Sequence, residues 1–152
     1  MTNRACLALL LWLTASACAL IEVSPSRTTT RDVVMDEALA QLDRPYRNEG
    51  ADPTGFDAGG LVRYVFKRGG VELPHSIEGQ HALGAVVAFS EMRPGDLVFY
   101  ELEERPFAPM HVGIYVGRSR MVHVLENGRV KLDIIDTPYW HRRLLDVVSC
   151  LP

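Results

Sequence analysis

Apolar residues recur at helical spacing in two stretches of the chain and at alternating or continuous spacing in most of the remainder. Met35, Ala38, Leu39 and Leu42 predict an amphipathic helix over about Arg31 to Leu42, with Thr29 or Thr30 as its N-cap. Pro45 bars its continuation. Ala58, Leu61, Val62, Val65 and Phe66 follow the i, i+3, i+4, i+7, i+8 pattern of a second helix. Asp57 is placed as its N-cap, Ala58 as its first residue, and Gly69-Gly70 as its stop.

After a short helix capped by Ser76 and running to Leu83, the pattern changes to brief apolar or alternating runs broken by turns. These predict strands over Val86 to Phe89, Leu97 to Tyr100, His111 to Val116, Met121 to Leu125, Arg129 to Asp133 and Leu144 to Ser149. Arg93-Pro94-Gly95-Asp96 and Asn127-Gly128 are turn signals, the second typical of a tight hairpin. Helices followed by a meandering antiparallel sheet define an α+β class.

The first thirty residues break this pattern. Arg4 precedes an apolar run, Cys6 to Leu13, and the small residues TASACAL follow, as in an export signal. Ala5 to Ile21 is short for a membrane span. Ala15-Ser16-Ala17-Cys18 resembles a bacterial lipoprotein box, so residues 1–17 read as a lipoprotein-type signal peptide and Cys18 as the lipidated anchor. Ordinary cleavage after Ala17 or Ala19 is the alternative and would release the protein. Residues 18–30 are rich in Ser, Thr and Pro and form a tether, leaving residues 31–152 as the domain.

Composition narrows the class of protein. With 152 residues and 47% apolar content, the chain can bury one core. Its formal net charge of −3 becomes −4 once Arg4 leaves with the signal, and no basic stripe invites nucleic acid. Cys6 departs with the signal and Cys18 lies at the cut, so Cys150 is left as a small buried or terminal thiol and no disulfide framework is implied. A bridge from Cys18 to Cys150 is open only to unlipidated protein.

Six blocks carry the chemistry. PYRNEGADPTGFDAGGLVRYVF, LPHSIEGQ, RPGDLVFY, HVGIYVG, VHVLENGRVKL and YWHRR occur in this order between Pro45 and Arg143. Together they resemble the NlpC-type cell-wall cysteine peptidases, a papain-like family. In that family a Cys follows the Asp of the first block and opens a helix. Its partners are the His that begins HVGIY and a second His or other polar residue one strand later.

The resemblance therefore implies that Ala58 stands in the nucleophile position, with His111 and His123 as its partners. It also implies a papain-like domain with N-terminal helices packed on an antiparallel sheet, and it places Tyr46 and Asp57 along the groove for a stem-peptide substrate. Gly59 stands where the family usually has Ser. A thiol at position 58 would meet the positive end of the helix dipole, which favours thiolate. Ala58 cannot ionise, attack or leave.

In an active relative the first His accepts the thiol proton and the second group orients its ring. Residues 111 and 123 are related by a centre at Gly117. An odd loop about that centre puts the two side chains across the ladder on one face, about 5 Å apart at Cα, and an even loop puts them on opposite faces. His75, His81 and His141 read as structural. No ligand spacing demands a metal, although Asp57, His111 and His123 could in principle supply two histidines and a carboxylate. No cofactor is expected.

The function that follows is a catalytically inactive NlpC-type domain of the bacterial cell envelope, exported and facing the periplasm. Its expected partners are peptidoglycan stem peptides or a cell-envelope protein, with membrane contact through lipidated Cys18. The alternative is an active peptidoglycan endopeptidase in which Ala58 is an introduced substitution for Cys. A third option is an interaction protein that keeps the scaffold and has lost the groove.

Overall fold

Thr29 and Asp32 bracket the start of the first helix as a capping box, each side chain accepting from the other's backbone N–H. That helix, α1, spans Thr30–Ala40. The computed structural model describes residues 28–102 and 110–152. The expected signal peptide, Cys18 and most of the expected tether lie outside them, while Thr29 and Thr30, the last residues assigned to the tether, cap and open α1.

The buried residues of α1 are Val34 and Ala38, continued by the cap residue Gln41, while Leu39 is 40% exposed. The apolar face is therefore rotated by about one residue from the stripe expected on Met35, Ala38, Leu39 and Leu42. The helix also ends before Leu42, where the chain turns through Asp43 at φ 66.

A two-stranded ribbon pairs β1, Ala51–Asp52, with β2, Gly55–Phe56. It hands the chain to α2, Ala58–Arg68, whose Leu61, Val62, Val65 and Phe66 are buried in the core. A third helix, α3, spans Ile77–Leu83 under a Ser76 cap. The ribbon was not anticipated, because two-residue strands carry no periodicity.

The main sheet holds β3, Ala85–Val87; β4, Leu97–Glu101; β5, Met110–Gly117; β6, Arg120–Val124; β7, Val130–Ile134; and β8, Leu144–Ser149. All pairings are antiparallel, in the order β3-β8-β4-β5-β6-β7. The sheet is thus not a simple meander, since the last strand inserts between β3 and β4. The run expected to continue β3 to Phe89 instead becomes a 3₁₀ turn at Phe89–Glu91.

Alternation along these strands builds two apolar clusters. Leu97, Phe99, Val112, Ile114, Val122 and Val148 face the helices. On the other side Val98, Tyr100, Met121 and Val147 pack with Ile135 and Trp140. Trp140 comes from a short helix, α4, Pro138–His141, capped by Thr137. Arg31 ties α1 to the start of β4 and the end of β8, donating to Asp96, Pro94, Ser149, Leu151 and Pro152. Asp96 is 1% exposed, so its charge is buried with its partner in place.

Two turns differ from expectation. Asn127-Gly128 does not form a two-residue hairpin: Val124 pairs with Val130, so five residues connect the strands, with Asn127 at φ 59. The two-residue turn lies at Arg118-Ser119, both left-handed at φ 53 and 55. Neither residue is the Asn or Gly that such a turn favours.

Candidate functional site

The first turn of α2 forms one wall of the site. Asp57 accepts from the Gly60 amide at 2.7 Å and so caps the helix. Ala58 follows at N1, half-buried against the core. The amides of Ala58 and Gly59 belong to the first turn and have no intrahelical acceptor.

Residues 74–76 pack tightly against this turn. A Cβ on Gly59 would collide with the backbone carbonyl oxygen of His75, so the glycine permits the approach. Gln80, fully buried, donates to the carbonyls of Gly59 and Pro74, both at 2.8 Å. Nε2 of His75 then lies 2.8 Å from each oxygen of Asp57. His75 was read as structural from sequence, and it lies instead at the mouth of the site against the capping carboxylate.

The second wall comes from β5 and β6. Nε2 of His111 lies 2.9 Å from Nδ1 of His123, and Nε2 of His123 lies 3.0 Å from Oδ2 of Asp133. Lys131 also reaches Oδ2 of Asp133, at 2.9 Å. The Asp133 carboxylate only accepts, so His123 carries its proton on Nε2 and presents a lone pair at Nδ1. His111 must then donate from Nε2, which leaves its Nδ1 as an acceptor without a partner among the described residues.

Burial sets the charge state of this chain. His111 is 5% exposed and His123 0%. Burial lowers His111 to about 3, helped by the neighbouring His123 and Lys131 and opposed by Asp133. His123 is also lowered, chiefly by burial, against the hydrogen bond and charge of Asp133. Burial pushes Asp133 upward, but bonds from Lys131 and His123 outweigh it and hold the carboxyl below its ordinary value. Both imidazoles are neutral beside an ionised Asp133 at neutral pH.

Trp140 fixes the rings from behind. Its indole lies nearly parallel to His111, 22° between planes at 6.2 Å, and edge-on to His123 at 5.2 Å. The two histidines share a face without being ladder partners. Ile114 pairs with Val122, and continuing that register puts His123 across from Gly113, so His111 is its diagonal neighbour. Direct opposition was expected, and a register offset of two residues replaces it.

Between the walls runs a groove of roughly 380 Å³ that brings together Tyr46, Asp57, Ala58, His75, His111 and Glu126. Burial raises Tyr46, followed by the charges of Glu126 and then Asp57. His123 stands behind His111 and does not line the groove. Asp57 turns to His75, not to the histidine pair, and among the described residues no three His, Cys, Asp or Glu side chains are arranged to hold a metal ion.

The model of the NlpC/P60 family matches residues 43–149. The chain belongs to that family. The match covers both walls of the groove, from the segment bearing Tyr46 to β8.

Among curated NlpC/P60 relatives, the bifunctional muramidase/DL-endopeptidase CwlT of Bacillus subtilis is 36% identical over 115 residues, which are 75% of this chain and 35% of CwlT. The chain thus spans about a third of that relative. A Staphylococcus aureus protein of the family, described as similar to lipoprotein, superposes with a TM-score of 0.71 at 29% identity over 81% of this chain and 42% of that one. RipD of Mycobacterium tuberculosis, described as a non-catalytic NlpC/p60 domain protein adapted to peptidoglycan binding, gives 0.65 at 27% identity over 81% of this chain and 98% of its own.

Sequence reasoning missed four residues of this NlpC/P60 site. Asp133 is the next-to-last residue of the VKLDI strand, diagonal to His123, whose own ladder partner is Lys131, and alternation from Lys131 could have found it. Trp140 lay within the YWHRR block but carried no register. His75 and Glu126 sit in irregular segments, where no periodicity says which way a side chain points. His81 and His141 lie apart from the groove, bonded to Asp146 and Asp136.

Proposed function

We propose that this chain is a non-cleaving NlpC/P60 domain of the bacterial cell envelope, holding peptidoglycan stem peptides, or a partner protein, in the groove beside Ala58. The observation that carries the reading is Ala58 itself, a methyl group at the first turn of α2 in the same groove as His111. That is the position the family resemblance gives to the nucleophilic Cys. Without it no acyl-enzyme can form, and in the serine-protease case such a loss costs on the order of 10⁶ in turnover.

In this reading His111 is the former general base, His123 its orienting partner, and Tyr46 and Asp57 contact the peptide. RipD offers a precedent in its own description, as a non-catalytic family member adapted to peptidoglycan binding. Export through residues 1–17 and anchoring through lipidated Cys18 complete the proposal. The staphylococcal relative described as similar to lipoprotein supports that placement.

A second reading rests on the hydrogen bonds that run from Asp133 through His123 to His111, in which both imidazoles are buried. They are the apparatus an active cysteine endopeptidase needs, and they would serve one if Ala58 replaced a native Cys. Sequencing the chromosomal codon for residue 58 separates the two readings. The functional test is mass spectrometry of muropeptides incubated with the protein and with Ala58→Cys. Retention of intact muropeptides by the first and cleavage by the second is expected. Failure of the protein to bind any muropeptide would sink the stem-peptide reading and turn attention to protein partners.

A further inference from the structure

The groove contains two carboxylates, and they are in different states. Asp57 is engaged within the protein: one oxygen accepts from the Gly60 amide, both lie 2.8 Å from His75 Nε2, and the α2 dipole stabilises its charge. Glu126 has no hydrogen-bond or salt-bridge partner among the described residues, and it lines the groove from an exposed turn.

That turn is held firmly. The Gly128 amide donates to the Leu125 carbonyl at 3.0 Å, and the Tyr46 amide donates to the Gly128 carbonyl at 2.9 Å. On the flank, Asp43 N–H bonds Val130, Val130 N–H bonds Arg44, and Arg129 reaches the Asp43 carbonyl at 2.8 Å. Glu126 is thus carried on a turn stitched to the Tyr46 segment. Its charge acts on the Tyr46 hydroxyl ahead of that of Asp57. Across the groove, the buried His111 offers only a lone pair at Nδ1, so this wall also asks for a donor.

We propose that Glu126, not Asp57, is the residue that selects a primary ammonium group on the ligand. The ammonium belongs to a peptide, as its free amino terminus or as the side-chain amine of a diamino acid. The inference rests on the stem-peptide reading above and adds the residue that sets its charge preference. Asp57 keeps the helix cap and His75, and contributes shape more than charge.

The test is calorimetric titration of the full chain with three forms of one stem peptide: unmodified, acetylated at the amino terminus, and acetylated at the side-chain amine. One acetylated form is expected to bind about tenfold more weakly, the scale of a hydrogen bond to a charged group, and it identifies which amine is read. Glu126→Gln should abolish that difference. Asp57→Asn, which keeps a capping side chain, should preserve it. A preference that survives Glu126→Gln, or disappears in Asp57→Asn alone, overturns the assignment. Equal binding of all three forms also overturns it and leaves the stem-peptide reading standing, whereas binding of none defeats both.

Discussion

His111 hydrogen-bonds His123 at 2.9 Å although the two are not partners across the ladder that joins their strands. The turn between the strands holds two residues, Arg118 and Ser119, with Gly117 paired to Arg120. An even turn alone would send the two side chains to opposite faces. A bulge between Tyr115 and Gly117 inserts Val116 and shifts the register by one, which returns both rings to one face. The histidine pair therefore depends on one irregular residue, Val116, five positions from His111.

The proton positions in the buried chain can be observed directly. Asp133 dictates that both His123 and His111 carry hydrogen on Nε2, and nitrogen-detected NMR at pH 7 should report that tautomer for both. Asp133→Asn can donate as well as accept, so it should mix the tautomers of His123 and with it those of His111. Unchanged spectra in the variant would show that Asp133 does not set them.

Stability should fall as the solution becomes acidic. His111 resists protonation in the folded state, at about 3, while in the unfolded chain its value returns to about 6.5. Above that pH the group is neutral in both states and contributes nothing. As pH drops below about 6.5, only the unfolded chain takes up the proton, costing about 1 kcal/mol of stability per pH unit for this group. His123, also lowered, acts in the same sense, and Asp133 adds its own loss only below its ordinary carboxylate range. Melting curves between pH 7 and 5 should show the decline, and His111→Gln should flatten it. Equal slopes in both proteins would refute the assignment.

Two thiols in Ala58→Cys should differ sharply. Burial, with the charge of Asp96, pushes Cys150 upward, and its sulfur lies half-buried near the Gln80 carbonyl. A cysteine at 58 would meet the amides that open α2 and share the groove with His111, surroundings that favour thiolate. Brief iodoacetamide treatment at pH 7 followed by peptide mapping should find position 58 alkylated well before Cys150. The reverse order would mean that the groove no longer activates a nucleophile.

Restoring the family's serine at position 59 should do harm. The His75 carbonyl occupies the space a side chain would need, so Gly59→Ser must push residues 74–76 outward and loosen the Gln80 bonds. Overpacking of this kind costs about 1–3 kcal/mol, a fall of roughly 2–10 °C in melting temperature for a domain of this size. An unchanged melting point would show that the segment yields freely.

The helices and strands were legible wherever burial imposes a period. α2 emerges from Ala58, Leu61, Val62, Val65 and Phe66, and Leu144–Ser149 is read to the residue. What escaped was set by tertiary contact. The place of β8 between β3 and β4 depends on sheet order, which local pattern does not encode. His75 reaches Asp57 only because Gly59 admits its carbonyl, and Arg118-Ser119 turns without the residues that announce a turn. In the site, residue types were readable from ordered blocks, while Asp133, Trp140 and Glu126 became visible only once strands were set side by side.

The last strand of the chain is an interior strand of the sheet. Val148 of β8 pairs with Val86 on one side and Leu97 on the other, and Leu151 just beyond it is 6% exposed. Until residues 144–149 are available, β3 has no partner, β4 keeps an open edge, and the Arg31 clamp lacks Ser149 and Leu151. Such distant pairing makes closure late and slow. During synthesis the sheet therefore stays open, and this part of the polypeptide stays pliable, until residues 144–149 have left the ribosome.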